Sequence, residues 1–114
     1  MEVSFHPAAA EEFKALPVGE RSAMQAAVEK LEAYGDSLGF PHTSNIRNAD
    51  RLRELRPRAG RSPWRAVYRR IGDTLVIAAI GPEANVDPRG FRAAVQHAEG
   101  RLAEVGQGES EPGR

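Results

Sequence analysis

The sequence predicts an α+β domain in which an antiparallel meander of strands is covered by helices. Three observations carry this. Residues 20–34 and 88–104 place apolar side chains at helical spacing. Residues 51–56, 63–70 and 73–81 read as strands separated by turn residues. The strands also fall in one block between the helical segments instead of alternating with them, the order β-α-α-β-β-β-α. The sheet is therefore expected to be antiparallel, with its helices on one side, and parallel strands would contradict the prediction.

Each element has a local reason. Glu2-Val3-Ser4-Phe5 alternates and is short, a strand. Pro7 opens a helix over 8–16, where its missing N–H has no partner to lose, and Pro17-Val18-Gly19 breaks it. From about 20 to 34, Met24, Ala27, Val28, Leu31 and Tyr34 follow the i, i+3, i+4, i+7 rule and form one buried stripe. The short turn makes the two helices a hairpin, and Gly35 stops the second. Residues 36–50 contain Gly39, Pro41, His42, Asn45 and Asn48, have no period and read as a loop. The first two meander strands are joined through 57–62 and the next two by a tight turn at Ile71-Gly72-Asp73. Residues 74–80 are a nearly continuous apolar run, expected to be the most buried strand and covered on both faces. Phe91, Ala94, Val95, Ala98 and Leu102 share one face of a last helix. The domain is expected over 1–105, with 106–114, polar and rich in Gly and Pro, as a disordered tail.

The 114 residues suffice for one modest core. With no cysteine there is no disulfide, thiolate nucleophile or zinc–cysteine site. The chain starts without the basic flank and apolar run of a signal peptide, and no stretch approaches the length of a membrane span, so a cytoplasmic location is expected.

The net charge of zero hides a segregation. Residues 47–70 hold nine arginines against Asp50 and Glu54, while the flanking segments are both acidic. Arginine forks grip phosphate in paired hydrogen bonds, so the block is a candidate anion site; the alternative is a solvated charged face. Alternation groups Leu52, Glu54 and Arg56, and likewise Arg65, Val67 and Arg69. Strand pairing would bring Arg56 and Arg65 together on one exposed face, with Arg58 or Arg61 at its edge. Replacing Arg56 and Arg65 by alanine would then cost little stability. Arg53 and Arg69 extend the basic surface. Trp64 and Tyr68 offer surfaces for base stacking or, alternatively, pack in the core or at an edge. Glu54 is a proton carrier or an internal ion-pair partner of Arg56 or Arg65. His6, His42 and His97 lack ligand spacing, so no metal site is expected. His42 precedes the basic strands.

Leu52-Arg53-Glu54-Leu55-Arg56, Trp64-Arg65-Ala66-Val67-Tyr68, the apolar strand ending at Gly81 and the helix with Phe91, Ala94 and Ala98 together resemble the RelE/ParE superfamily of type II toxins, closest to the HigB branch and its phage-derived relatives. The resemblance covers most of the chain, including Leu38-Gly39-Phe40-Pro41. It implies a RelE-like fold of an N-terminal strand, helical hairpin, three-stranded antiparallel meander and C-terminal helix. It also implies a toxin neutralised by a cognate antitoxin, meeting operator DNA only through the antitoxin complex, which cleaves mRNA on the ribosome without a metal or other cofactor. Arg56 and Arg65 match the family's phosphate-contacting arginines. Residues 82–87 are acidic where relatives are basic, and Phe91 stands where RelE has a tyrosine.

Such cleavage needs a deprotonated 2′-OH, a stabilised pentavalent phosphate and a protonated leaving oxygen. Arginine can serve only the second need, since it does not deprotonate in proteins. Glu54, His42 or ribosomal RNA must move the protons, and an imidazole suits work near neutral pH better than an exposed carboxylate. Catalytic residues are accordingly expected to be Arg56, Arg65, Glu54 and His42, with RNA contacts from Arg53, Arg58, Arg61, Trp64, Tyr68 and Arg69. Two other outcomes fit the superfamily: a ParE-like inhibitor of DNA gyrase, and a degenerate toxin that only binds its antitoxin.

Overall fold

A computed structural model describes residues 1–110. Strand β1 (Glu2–Phe5) leads into α1 (Pro7–Lys14) and α2 (Val18–Tyr34). Strands β2 (Thr43–Asn45), β3 (Arg53–Leu55), β4 (Trp64–Ile71) and β5 (Thr74–Pro82) follow, and α3 (Pro88–Ser110) ends the described chain. Short 3₁₀ turns occupy Gly35–Ser37 and Pro57–Gly60. The His6 ring caps α1 by accepting from the Ala8 N–H at 3.1 Å.

The five strands lie in the order β1-β5-β4-β3-β2. From β2 to β5 each strand is antiparallel to the next, but β1 runs parallel to β5, with Glu2 opposite Thr74 and Phe5 opposite Ile77. The expectation of a wholly antiparallel sheet fails at this edge. After pairing with β4, β5 keeps one open edge, and β1 fills it as it delivers the chain into α1, which packs on β5. The meander also has four strands, because β2 lies inside the stretch expected to be a loop. Three residues at a sheet edge show no alternation. Here pairing with β3 and the Thr43 hydroxyl, which donates to the Leu38 carbonyl at 2.6 Å, fix the strand.

The helices cover both faces of the sheet, not one. On one face Ala9, Met24, Val28 and Leu31 pack against Leu55, Ala66, Tyr68, Leu75, Ile77 and Ile80. On the other, Ala94, Ala98 and Leu102 of α3 pack against Val67, Val76, Ala78 and Ala79. This explains why β5 is apolar at successive positions, as its sequence predicts. A β-bulge keeps the two cores in register: Val67 pairs with Ala79 and Tyr68 with Ile77, leaving Ala78 without an opposite residue. The tail expected over 106–114 begins on the backbone of α3, and residues 111–114 lie outside the described residues. No described helix is long and apolar enough to cross a membrane.

Candidate functional site

The basic block divides into three groups with different surroundings. Arg65 stands apart because it is buried, with 3% of its surface exposed. Pairing sets Glu54 opposite Val67, which puts Glu54 and Arg65 diagonally on the α3 face of the sheet. Arg65 Nε donates to Glu54 Oε1 at 3.0 Å, and Nη2 donates to Glu83 Oε2 at 2.6 Å and to the Gly60 carbonyl at 3.2 Å. Nη1 donates to the carbonyls of Ser62 and Trp64 at 2.6 and 2.9 Å. Glu54 accepts a further bond from the Ser44 hydroxyl at 3.1 Å. The expected exposed pair of Arg56 and Arg65 is therefore absent. Glu54 is the ion-pair partner that its place among arginines suggested. Glu83, in the acidic segment after β5, is the second carboxylate that balances the buried guanidinium.

The second group surrounds a shallow cleft of about 360 Å³ lined by Arg51, Arg53, Arg69 and Arg70. Most of its charge is engaged. Arg53 donates to the Tyr68 hydroxyl at 3.3 Å, to the Thr43 hydroxyl at 2.8 Å and to the Asn45 side chain. Arg70 pairs with Asp36, and Arg69 donates to the Asp50 carbonyl at 2.7 Å. Tyr68 is core, 3% exposed, and Trp64 packs half-buried against the same cluster. Neither offers the open stacking surface expected, because their strand lies under α2.

The third group forms the candidate site. A cleft of about 480 Å³ lies between α2 and the Pro57–Gly60 turn. Lys30, His42, Arg56, Arg58 and Arg61 line it over an apolar floor that includes Leu38 and Leu55, and no carboxylate lines it among the described residues. The turn has an unusual backbone: Arg58, Ala59 and Gly60 all have positive φ, at 55°, 54° and 93°. A non-glycine residue in this region costs about 1–2 kcal/mol, so other contacts must hold the turn. Glu20 of α2 does so, accepting from the Ser62 hydroxyl at 2.7 Å and from Arg58 at 2.8 Å. Those bonds, Ser62 first and Arg58 second, hold the Glu20 carboxyl below its usual range. Gly60 also lies close to Arg56: a Cβ there would come within 2.6 Å of its guanidinium, so the Arg56 side chain would have to move.

Arg56 leaves β3, donates its backbone N–H to the His42 carbonyl at 2.8 Å and lays its guanidinium over the Phe40 ring at 4.8 Å. Its Nε is buried and has no partner among the described residues. The structure thus brings together Arg56, Arg58, Arg61 and His42, and sends Arg65 and Glu54 elsewhere. It adds Lys30 to the cleft and Tyr34 and Phe40 in the pocket beside it, none of which the sequence suggested as a site residue. Tyr34 had been placed in the buried stripe of α2, but it lies 61% exposed beyond Leu31, at the end of the helix. Phe40 is 76% exposed; an aromatic residue in a Gly/Pro loop without apolar periodicity was the available signal. Among the described residues, no three His, Asp or Glu side chains cluster as a metal site requires.

Residues 11–81, which enclose this whole cleft and stop short of α3, match the family described as phage-derived protein Gp49-like. The chain belongs to the Gp49-like family. Gp49-like proteins are toxins of the RelE/HigB type, a class that implies an antitoxin partner. The fold agrees with this membership. It resembles a free-state structure of E. coli toxin RelE carrying two arginine-to-alanine mutations, with a TM-score of 0.57, 15% identity and coverage of 83% of this chain and 94% of that one. No curated protein matches the Gp49-like chain significantly in sequence.

Proposed function

We propose that this Gp49-like protein is the toxin of a type II toxin–antitoxin pair and that it cleaves mRNA on the ribosome, without a metal, in the cleft between α2 and the Pro57–Gly60 turn. The observation that carries this reading is the lining of that cleft: one lysine, three arginines and one imidazole, with no carboxylate among the described residues. Arg56 and Arg61 would stabilise the pentavalent phosphate, a role whose loss typically slows reaction about 10²- to 10³-fold. His42 would take the 2′-OH proton as the 2′-oxygen attacks phosphorus and the bond to the 5′-oxygen breaks. The leaving oxygen must gain a proton, and with one imidazole in the cleft the ribosome is the source of a second donor. Arg65 and Glu54 act here as positioning residues that fix the strand ends and the turn. A ribosomal target places the toxin in the cytoplasm, and operator DNA would be met only through the antitoxin complex.

One observation favours a second reading. The family-matched phosphate arginine, Arg65, is consumed by internal bonds, which suits a toxin whose basic cleft only seats an acidic antitoxin segment. Purified protein in a translation reaction separates the readings. Ribosome-dependent mRNA cuts, lost with His42→Ala and Arg56→Ala, support the nuclease. Inhibition of DNA supercoiling would point to gyrase, and neither effect would leave antitoxin binding alone. In cells, expression without the antitoxin should arrest growth, and co-expression of the antitoxin should restore it.

A further inference from the structure

We infer that Tyr34 and Phe40 form a nucleobase subsite at the mouth of the basic cleft, taking one unpaired base of a single-stranded RNA while the cleft holds the neighbouring phosphates. This rests on the RNA-binding reading above and specifies which part of the nucleotide lies where.

A shallow pocket of about 270 Å³ adjoins the cleft and shares Lys30, Leu38 and His42 with it, so the two are one continuous surface. Tyr34 and Phe40 line this pocket, and both are exposed far beyond what core packing explains. One face of the Phe40 ring carries the Arg56 guanidinium, which restrains the ring. With three-quarters of the residue exposed, the other side is open to a planar partner. The chemistry is that of a single-strand site, where cations track the backbone and aromatic rings stack bases whatever their identity. Charge complementarity selects the occupant: the aromatic pair is rimmed by Lys30, His42 and Arg56, which suits a polyanion carrying flat apolar groups better than the apolar stripe of a partner helix.

The test compares two fluorescently labelled RNAs of equal length, one bearing bases and one abasic. The intact protein should bind the base-bearing strand more tightly by roughly 5-fold or more, the usual effect of one stacking contact. Phe40→Ala and Tyr34→Ala should erase that preference, whereas Tyr34→Phe should retain it. Arg61→Ala should weaken both strands equally. The subsite is overturned if the base preference survives Phe40→Ala, or if the aromatic variants lose antitoxin binding while RNA discrimination persists. Failure of the intact protein to bind either strand would overturn the RNA reading itself. The Trp64 fluorescence of each variant confirms that it is folded.

Discussion

At the scale of single residues, Arg65 has five N–H groups and five hydrogen bonds, joining β3, the Pro57–Gly60 turn and the segment after β5. Removing it leaves Glu54 and Glu83 near each other without the cation between them. Arg65→Ala should therefore lower stability by about 3–5 kcal/mol, read as an earlier urea midpoint. Arg56→Ala should cost under about 1 kcal/mol, the size of a cation–π contact at a partly exposed site, while weakening RNA binding. The expectation that both arginines are freely removable is thus reversed for one of them, and the single substitutions are the informative ones. Glu54 was legible as an ion-pair partner because a lone acid among arginines is stabilised by pairing. Glu83 was not, because the sheet brings it to Arg65 from the far side of β5 and local sequence carries no sign of that meeting.

At the scale of elements, two carboxylates tie helices to their neighbours. Glu20 holds the turn, and Glu12 of α1 accepts two bonds from Arg101 of α3, at 3.0 and 2.9 Å, and one from the Ile80 N–H at 3.0 Å. Burial pushes the Glu12 carboxyl up, but the bonds from Arg101 and Ile80 outweigh it and hold the group low. Both groups titrate below the ordinary value of 4.5 in the folded chain. The stability they confer is complete above that pH and lost as pH falls through the depressed folded values. The melting temperature should drop below pH 4.5, and drop less in a Glu12→Gln, Glu20→Gln variant. A steric limit acts at the sheet: a Cβ on Gly81 would come within 2.7 Å of the Ala94 Cβ. Gly81→Ala should therefore lift α3 and cost about 1–3 kcal/mol, seen as a lower thermal midpoint. The long helices and β4–β5 were legible because period and apolar runs persist over many residues. β2 was not, since three edge residues have no period to show. Nor was the second helical layer, although the unbroken apolar run of β5 already required cover on both faces.

At the scale of the whole molecule, a chain of zero net charge presents a basic cleft because its acids and bases are unevenly paired. Arg58, Arg65 and Arg70 each have a carboxylate partner from outside the block, namely Glu20, Glu83 and Asp36, whereas Lys30, Arg56 and Arg61 have none among the described residues. Three free cations imply that the logarithm of RNA affinity falls against the logarithm of salt concentration with a slope of roughly −2. A salt titration of binding checks this, and a slope near zero would contradict the cleft as a phosphate site. The clustering of arginine was legible by counting. Which arginines remain free was not, because that depends on acids such as Glu20 and Asp36, which folding delivers from other segments.

The saturated guanidinium of Arg65 also bears on how this gene can drift. The chain has only two lysines, and an arginine-rich composition is what a GC-rich genome produces. At exposed Arg47 and Arg51, outside the basic cleft, a move to an AT-rich host should let lysine codons replace arginine codons with little selection against them. At position 65 lysine offers three donors from one point instead of five in a planar fork, so the replacement should be purged. Comparison of Gp49-like sequences across genomes of different base composition should find arginine tracking GC content at the surface positions and independent of it at 65.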